Sequence, residues 1–281
     1  MNKKAILVLL AVVALFISAC AAGPNSADFQ QKLIDANSNI KSYSLDMDMN
    51  MKMDLTGQGM SLQMNTVTQA TGQVDTANKK MHMNMNMKAD AFGQKTETNT
   101  EMYSVGDSVY TSTAGQWFKA PFDQKTWDSQ DSIKSQLDLL KSGTIEQLPD
   151  ETIDGKAYYV VKVKPDMKKL AEQMMQGGGS GMPADLDFGK VIKNFDVMLW
   201  VNKDTFVMER SKTTMKMEMT AADLGKEGEG NMAFDIMSDA KMSNIDAPVD
   251  ITLPAAAANA VDASSMMGGA TGNAVAADAF A

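Results

Sequence analysis

From Asp46 to Asp54 the chain reads Asp-Met-Asp-Met-Asn-Met-Lys-Met-Asp, with methionine at every second position and a charged or amide residue between. A β-strand sends successive side chains to opposite faces, so Met47, Met49, Met51 and Met53 share one face of an extended segment. A helix would scatter methionine and charge around its axis, so the period selects a strand. The pattern returns at Lys80–Lys88, with Met81, Met83, Met85 and Met87, and at Thr214–Thr220, with Met215, Met217 and Met219. Three such strands predict a sheet with one wet face and one soft, apolar face.

Turn signals divide the chain into a meander. Gly57-Gln58-Gly59 leads into Met60–Thr71, Gly72 is read as the turn to the next strand, and Gly93, Gly106-Asp107 and Ala114-Gly115 bound the strands that follow. Asp154-Gly155 and Asn202-Lys203-Asp204-Thr205 mark two later hairpins. Helices are expected over Asp28–Ile40, over Thr126–Ser142 with Gly143 as its cap, and from Pro165-Asp166 to about Gln176. Further strands are expected at Asn231–Asn244 and Val249–Leu253. From Ala255 the chain is rich in alanine and glycine and has little apolar bulk, which predicts a disordered tail over residues 255–281.

The first residues indicate a compartment. Lys3 and Lys4 precede an apolar run from Ala5 to Ala19, and Cys20 follows. Ile17-Ser18-Ala19-Cys20 resembles a lipobox, which implies a signal peptide over residues 1–19, lipidation of Cys20 with palmitate-type chains and a tether over residues 20–27. The competing reading is an uncleaved anchor, for which the run is slightly short. Two acyl chains at about 0.8 kcal/mol per buried CH₂ hold a protein on a membrane. Cys20 is the only cysteine, so a disulfide within the chain and a thiol nucleophile elsewhere are excluded. The formal charge of −9 becomes two units more negative without Lys3 and Lys4, which argues against nucleic acid and against electrostatic docking on anionic lipid.

Catalytic chemistry finds little support, and no enzyme activity, cofactor or metal site is assigned. The one histidine, His82, lies between Met81 and Met83 and is expected on the wet face, solvated, beside Lys80 and Asn84. Gly178-Gly179-Ser180-Gly181-Met182 lacks the second glycine of a nucleophile elbow and continues into no phosphate loop. Asp46, Asp48 and Asp54 alternate with methionine and are expected to face solvent. The methionine stripes admit three readings: core packing by a flexible gap-filler, the lining of a cavity for a hydrophobic ligand, or soft-metal binding of Cu(I) or Ag(I) through thioethers about 6.6 Å apart along a strand.

The order of these segments resembles the lipoprotein-carrier superfamily of LolA, LolB and LppX/LprG. An N-terminal helix leads into Ser42-Tyr43-Ser44 and a long meander, which a helical insertion interrupts. Gly155-Lys156-Ala157-Tyr158-Tyr159 and Leu199-Trp200-Val201-Asn202-Lys203-Asp204-Thr205 resemble the family's later hairpins, and Asn244-Ile245-Asp246-Ala247-Pro248-Val249 with Pro254 resembles its closing strand. The resemblance implies a mainly β fold with α (α+β), an unclosed antiparallel β half-barrel wrapped around two or three helices, over residues 28–254. It also implies an apolar cavity, since members shuttle or hold lipids or acylated proteins. The expectation is thus a monomeric, extracytoplasmic lipoprotein of the cell envelope, held to the membrane through Cys20, with a lipid or other hydrophobic ligand. The eleven stripe methionines would line the cavity. Met167, Leu170, Ala171, Met174 and Met175, followed by Gly177, Gly178 and Gly179, would form a lid and its hinge.

Overall fold

All three methionine stripes form strands of one twelve-stranded sheet. The structure, a computed structural model, describes residues 26–57, 60–122, 127, 132–176, 186–224 and 230–263. Strands β1 (Ser42–Gly57), β2 (Met60–Asp75), β3 (Lys80–Ala91), β4 (Gln94–Val105), β5 (Ser108–Thr113) and β6 (Gln116–Pro121) run as one antiparallel meander. A second meander comprises β7 (Thr144–Ile153), β8 (Lys156–Lys164), β9 (Ile192–Asn202), β10 (Met208–Thr220) and β11 (Gly230–Ser243). The two join where β11 pairs with β1, and β7 is left as a free edge, so the sheet is unclosed.

The expected turn chemistry is present. Ala114-Gly115 and Asp154-Gly155 both have positive φ at each central residue, the geometry that matches the twist of flanking strands. Phe92-Gly93 does the same between β3 and β4, with a phenylalanine in the first place.

Gly72 is not a turn. It lies inside β2, paired with Leu45 on one side and Met83 on the other. A Cβ there would collide with the His82 carbonyl oxygen and the Met83 sulfur, so glycine permits a close approach of β2 and β3 where a bend was expected. Residues Val249–Leu253 form no strand either. Pro248 and Pro254 bracket them, and proline cannot donate to a ladder. Order also continues past Pro254: a 3₁₀ turn over Ala255–Asn259 buries Ala257, and β12 (Val261–Asp262) pairs in parallel with β6. The expected boundary at residue 255 therefore falls short, because a small side chain fits where bulk was thought necessary. Residues 264–281 lie outside the described residues, as do the signal peptide and residues 20–25 of the tether, whose last two residues, Ser26 and Ala27, are helical.

Helix α1 (Ser26–Asn37) buries Phe29 and Leu33, one turn apart. Asn37 ends it. Its amide donates to the Leu33 and Phe206 carbonyls at 2.7 and 3.0 Å and accepts from the Met208 N–H at 2.9 Å, which fastens the helix to the β9–β10 turn. Helix α2 (Ser132–Ser142) presents Ile133, Leu137 and Leu140 to the same core and ends where the Gly143 N–H reaches the Leu139 carbonyl. Buried residues of both helices form one core cluster with Tyr43, Val74, Met81, Met83 and Met242 of the sheet. Helices α3 (Met167–Gln176) and α4 (Phe188–Val191) cover a second place, over β9 and β10. Among the described residues no helix is long and apolar enough to cross a membrane.

Candidate functional site: the methionine face

Strand register decides what the stripes do together. Met217 of β10 stands opposite Phe234, Phe234 opposite Met53, Met53 opposite Met64, and Met64 opposite Ala91. Partners across an antiparallel pair share a face, so this is one row across five strands. On one side of it runs the row Met215, Ile236, Met51, Thr66 and Ala89, and on the other the row Met219, Met232, Leu55 and Leu62. Met47 joins Ala70 and Met85, and Met49 joins Thr68 and Met87. All eleven stripe methionines therefore lie on one face of one sheet.

Their surroundings differ along that face. Met81 and Met83 are buried under α1 and α2, with Met47 and Met85 packed at the margin of that core. Met217 and Met219 are buried under Leu170, Phe188 and Val191, with Met215 beside them. Met49, Met51 and Met53 are half-buried and belong to neither core cluster, and Met87 is 41% exposed. The space between α2 and the sheet, lined by Leu45, Met47 and Met242, holds ≈ 50 Å³. That is room for a water or two and not for an acyl chain, since a water occupies about 30 Å³. A larger apolar groove of ≈ 350 Å³ opens at the hairpin tips, between Leu55, Met60, Leu62 and Phe92. Phe92 and Met60 are 79% and 69% exposed there. Leu55 and Leu62 belong to the outermost methionine row, so the groove continues the apolar face to its rim. Sequence reading missed Phe92. Its signal was an aromatic residue before Gly93 at a hairpin tip, where a polar residue is usual.

Of the expected lid, Met167, Leu170 and Ala171 of α3 do pack on the methionine face. The side chains of Met174 and Met175, and Gly177, Gly178 and Gly179, lie outside the described residues, and so does Cys20.

The opposite face carries the polar half of the pattern. Asp46, Asp48 and Asp54 are exposed, as expected. Arg210 grips Asp239 with two hydrogen bonds, Nε to Oδ1 at 2.8 Å and Nη2 to Oδ2 at 2.6 Å, while its guanidinium carbon sits 4.9 Å from the Trp200 ring centre. The Arg210 hydrogen bond holds the Asp239 carboxyl below its ordinary range, against burial. Glu209 accepts from Tyr158 Oη at 2.7 Å, Lys156 Nζ at 3.1 Å and Asn202 Nδ2 at 2.8 Å. Burial alone would raise its pKa, but these donors together lower it, while burial and Glu209 push the Tyr158 hydroxyl up to about 12. His82 is not the free, solvated residue expected. Its ring stacks on Tyr103 at 4.2 Å and its Nε2 lies 3.1 Å from Glu101 Oε1. Among the described residues no group of three or more His, Cys, Asp or Glu side chains could hold a metal ion.

An open, mostly antiparallel sheet with one methionine-rich apolar face, partly covered by helices, is the class of protein these features define. The chain belongs to the family described as "Family of unknown function (DUF6612)", which matches residues 25–262. No curated protein matches it. Among solved structures it is similar to the lipoprotein LppX of Mycobacterium tuberculosis, at 13% identity and a TM-score of 0.43, over 82% of this chain and 100% of that one. It is similar to LprF from Mycobacterium bovis at 16% identity and a TM-score of 0.44, over 83% and 99%. A putative outer membrane lipoprotein-sorting protein domain from Vibrio parahaemolyticus follows at 12% identity and a TM-score of 0.27, over 80% and 95%. LppX is also one of the proteins that the sequence resembles. At such low TM-scores these are likenesses only.

Proposed function

We propose that this is a membrane-anchored, extracytoplasmic lipoprotein, without enzyme activity, that binds or carries a hydrophobic ligand on its methionine face. Cys20 carries the lipid anchor, and the sheet wraps α1 and α2 as an unclosed half-barrel. A lipid or acyl chain enters at the Leu55–Met60–Leu62–Phe92 groove and lies along Met49, Met51 and Met53. One observation carries the reading: these three methionines share a face with both core clusters yet belong to neither, and an apolar groove opens at Leu55, the next position on that face after Met53. An apolar surface left outside the core marks a binding place more often than an accident of packing. Unbranched thioethers suit chains of varied shape.

Native mass spectrometry of the extracted mature protein should show co-purifying lipid. Leu62→Asp and Phe92→Asp should each slow uptake of an environment-sensitive fluorescent fatty acid, because each places a charge in the entrance. A bare mass together with no uptake by the wild type would end the carrier reading. Bound copper in place of lipid would support the soft-metal alternative.

A further inference from the structure

On the wet face, strands β2 to β6 carry a second arrangement. Thr71, Asn84, Glu101, Ser112 and Trp117 are successive cross-strand partners, so they stand in one row across five strands. At about 4.8 Å per strand the row spans about 19 Å. The row above it is Gln69, Asn86 and Asn99, and the row below contains His82 and Tyr103. The Tyr103 ring lies 6.0 Å from that of Trp117, so the polar row ends at an aromatic pair. Over the two polar rows lies a depression of ≈ 480 Å³, walled at one end by the Ala114-Gly115 turn. That volume falls in the range of small-molecule sites.

The side chains are held in place with hydrogen-bonding capacity left over. Gln69 Nε2 donates to Asp48 at 3.0 Å, and Asn86 Nδ2 donates to Glu97 and to Asn99 Oδ1, both at 2.7 Å. Those bonds fix the amides by one end. Gln69 Oε1, Asn86 Oδ1 and Asn99 Nδ2 take part in no hydrogen bond among the described residues, so acceptors and a donor stay unengaged on residues that line the depression. Glu101 is its one charged lining group, and Oε1 is already engaged by the Tyr103 hydroxyl at 3.0 Å. No lysine or arginine lines it, which disfavours a phosphate or carboxylate ligand. Amide, hydroxyl and carboxylate residues outnumber Met85 and Ala114 in the lining, which disfavours an acyl chain. What remains is a neutral ligand dense in hydroxyls. Amides donate and accept in fixed pairs, as neighbouring hydroxyls require, and an aromatic ring offers an apolar face to the C–H side of a sugar.

We propose that this outer face binds a neutral glycan, with Gln69, Asn84, Asn86 and Asn99 bonding its hydroxyls and Trp117 stacking at one end. The site centres on the other side of the sheet from the methionine face, with Met85 and Thr100 at its margin, and the proposal does not rest on a ligand of that face. Ligand-observed saturation-transfer NMR on the mature protein, with maltotetraose, cellotetraose and N-acetylchitotetraose as probes, tests it. Transfer should occur to at least one probe. The double variant Asn84→Ala/Asn86→Ala, at exposed and half-buried positions where folding should persist, should weaken binding at least about tenfold, the loss of one good hydrogen bond. Trp117→Ala should do the same. Absence of transfer to all three probes, or transfer unchanged in the double variant with its circular dichroism intact, would overturn the proposal.

Discussion

Gly72→Ala tests the closeness of β2 and β3 directly. The added methyl would meet the Met83 sulfur and the His82 carbonyl oxygen, with Met83 Cα at 3.1 Å. The sulfur ends a flexible side chain and can turn away. The carbonyl belongs to the paired strand and can retreat only by opening the ladder. Overpacking costs about 1–3 kcal/mol, and a backbone clash belongs at the upper end, about 3. Alanine loses less chain entropy on folding than glycine, which returns about 0.7 kcal/mol. The net is about 2 kcal/mol. With an m-value of about 3 kcal/mol/M the urea midpoint should fall by about 0.7 M. Adding Met83→Ala separates the two contacts: if the carbonyl dominates, coupling in the double-mutant cycle stays below about 1 kcal/mol. An unchanged midpoint for Gly72→Ala would refute the close approach, and coupling near the full 2 kcal/mol would place the whole clash on the sulfur.

Other outcomes follow from the polar face and the terminus. The lowered pKa of Glu209 means that its contribution is fully present above its ordinary value of 4.5 and is lost as pH falls through the folded value. Glu209→Gln should therefore flatten the acid limb of a stability–pH curve below the usual carboxylate range, and a curve parallel to wild type would remove that role. Asp239→Ala should cost about 1–2 kcal/mol in urea melts, because it leaves a half-buried guanidinium unpaired; a loss within experimental error would mean that Trp200 alone holds Arg210. Cys20→Ala should abolish labelling by a palmitate analogue in cells, whereas equal labelling would exclude the lipobox.

The strands were legible wherever alternation ran unbroken, as at Met47–Met53, and the hairpins wherever glycine followed a turn residue, as at Asp154-Gly155. Gly72 was misread because sequence alone does not distinguish a glycine that bends the chain from one that makes room beside it. Pairing was hidden too: nothing near Met53 says that Phe234 is its neighbour. The site was legible as a face and not as a place. Period alone puts the methionines of each stripe on one face of its strand, but only the register joins the three stripes and only the landing points of α1 to α4 divide Met83 and Met217, which are core, from Met49 to Met53, which are not. On the wet side, attention to methionine obscured Asn84 and Asn86 between the stripes and their partners Glu101 and Asn99, whose alternation was equally visible.

The join between β1 and β11 bears on how the chain is made. Ser44 pairs with Ser243, so the first strand synthesised is completed by one of the last. Until the second meander has folded, β1 can pair with β2 but has its other edge open and its methionines uncovered on that side. Such an edge invites pairing with another incompletely folded chain. The residues set between those methionines, Asp46, Asp48, Lys52 and Asp54, then act as gatekeepers, because a stacked copy would place like charges side by side. The charge in the alternation thus protects the strand during the interval before β11 arrives, and the methionine in it serves the finished protein.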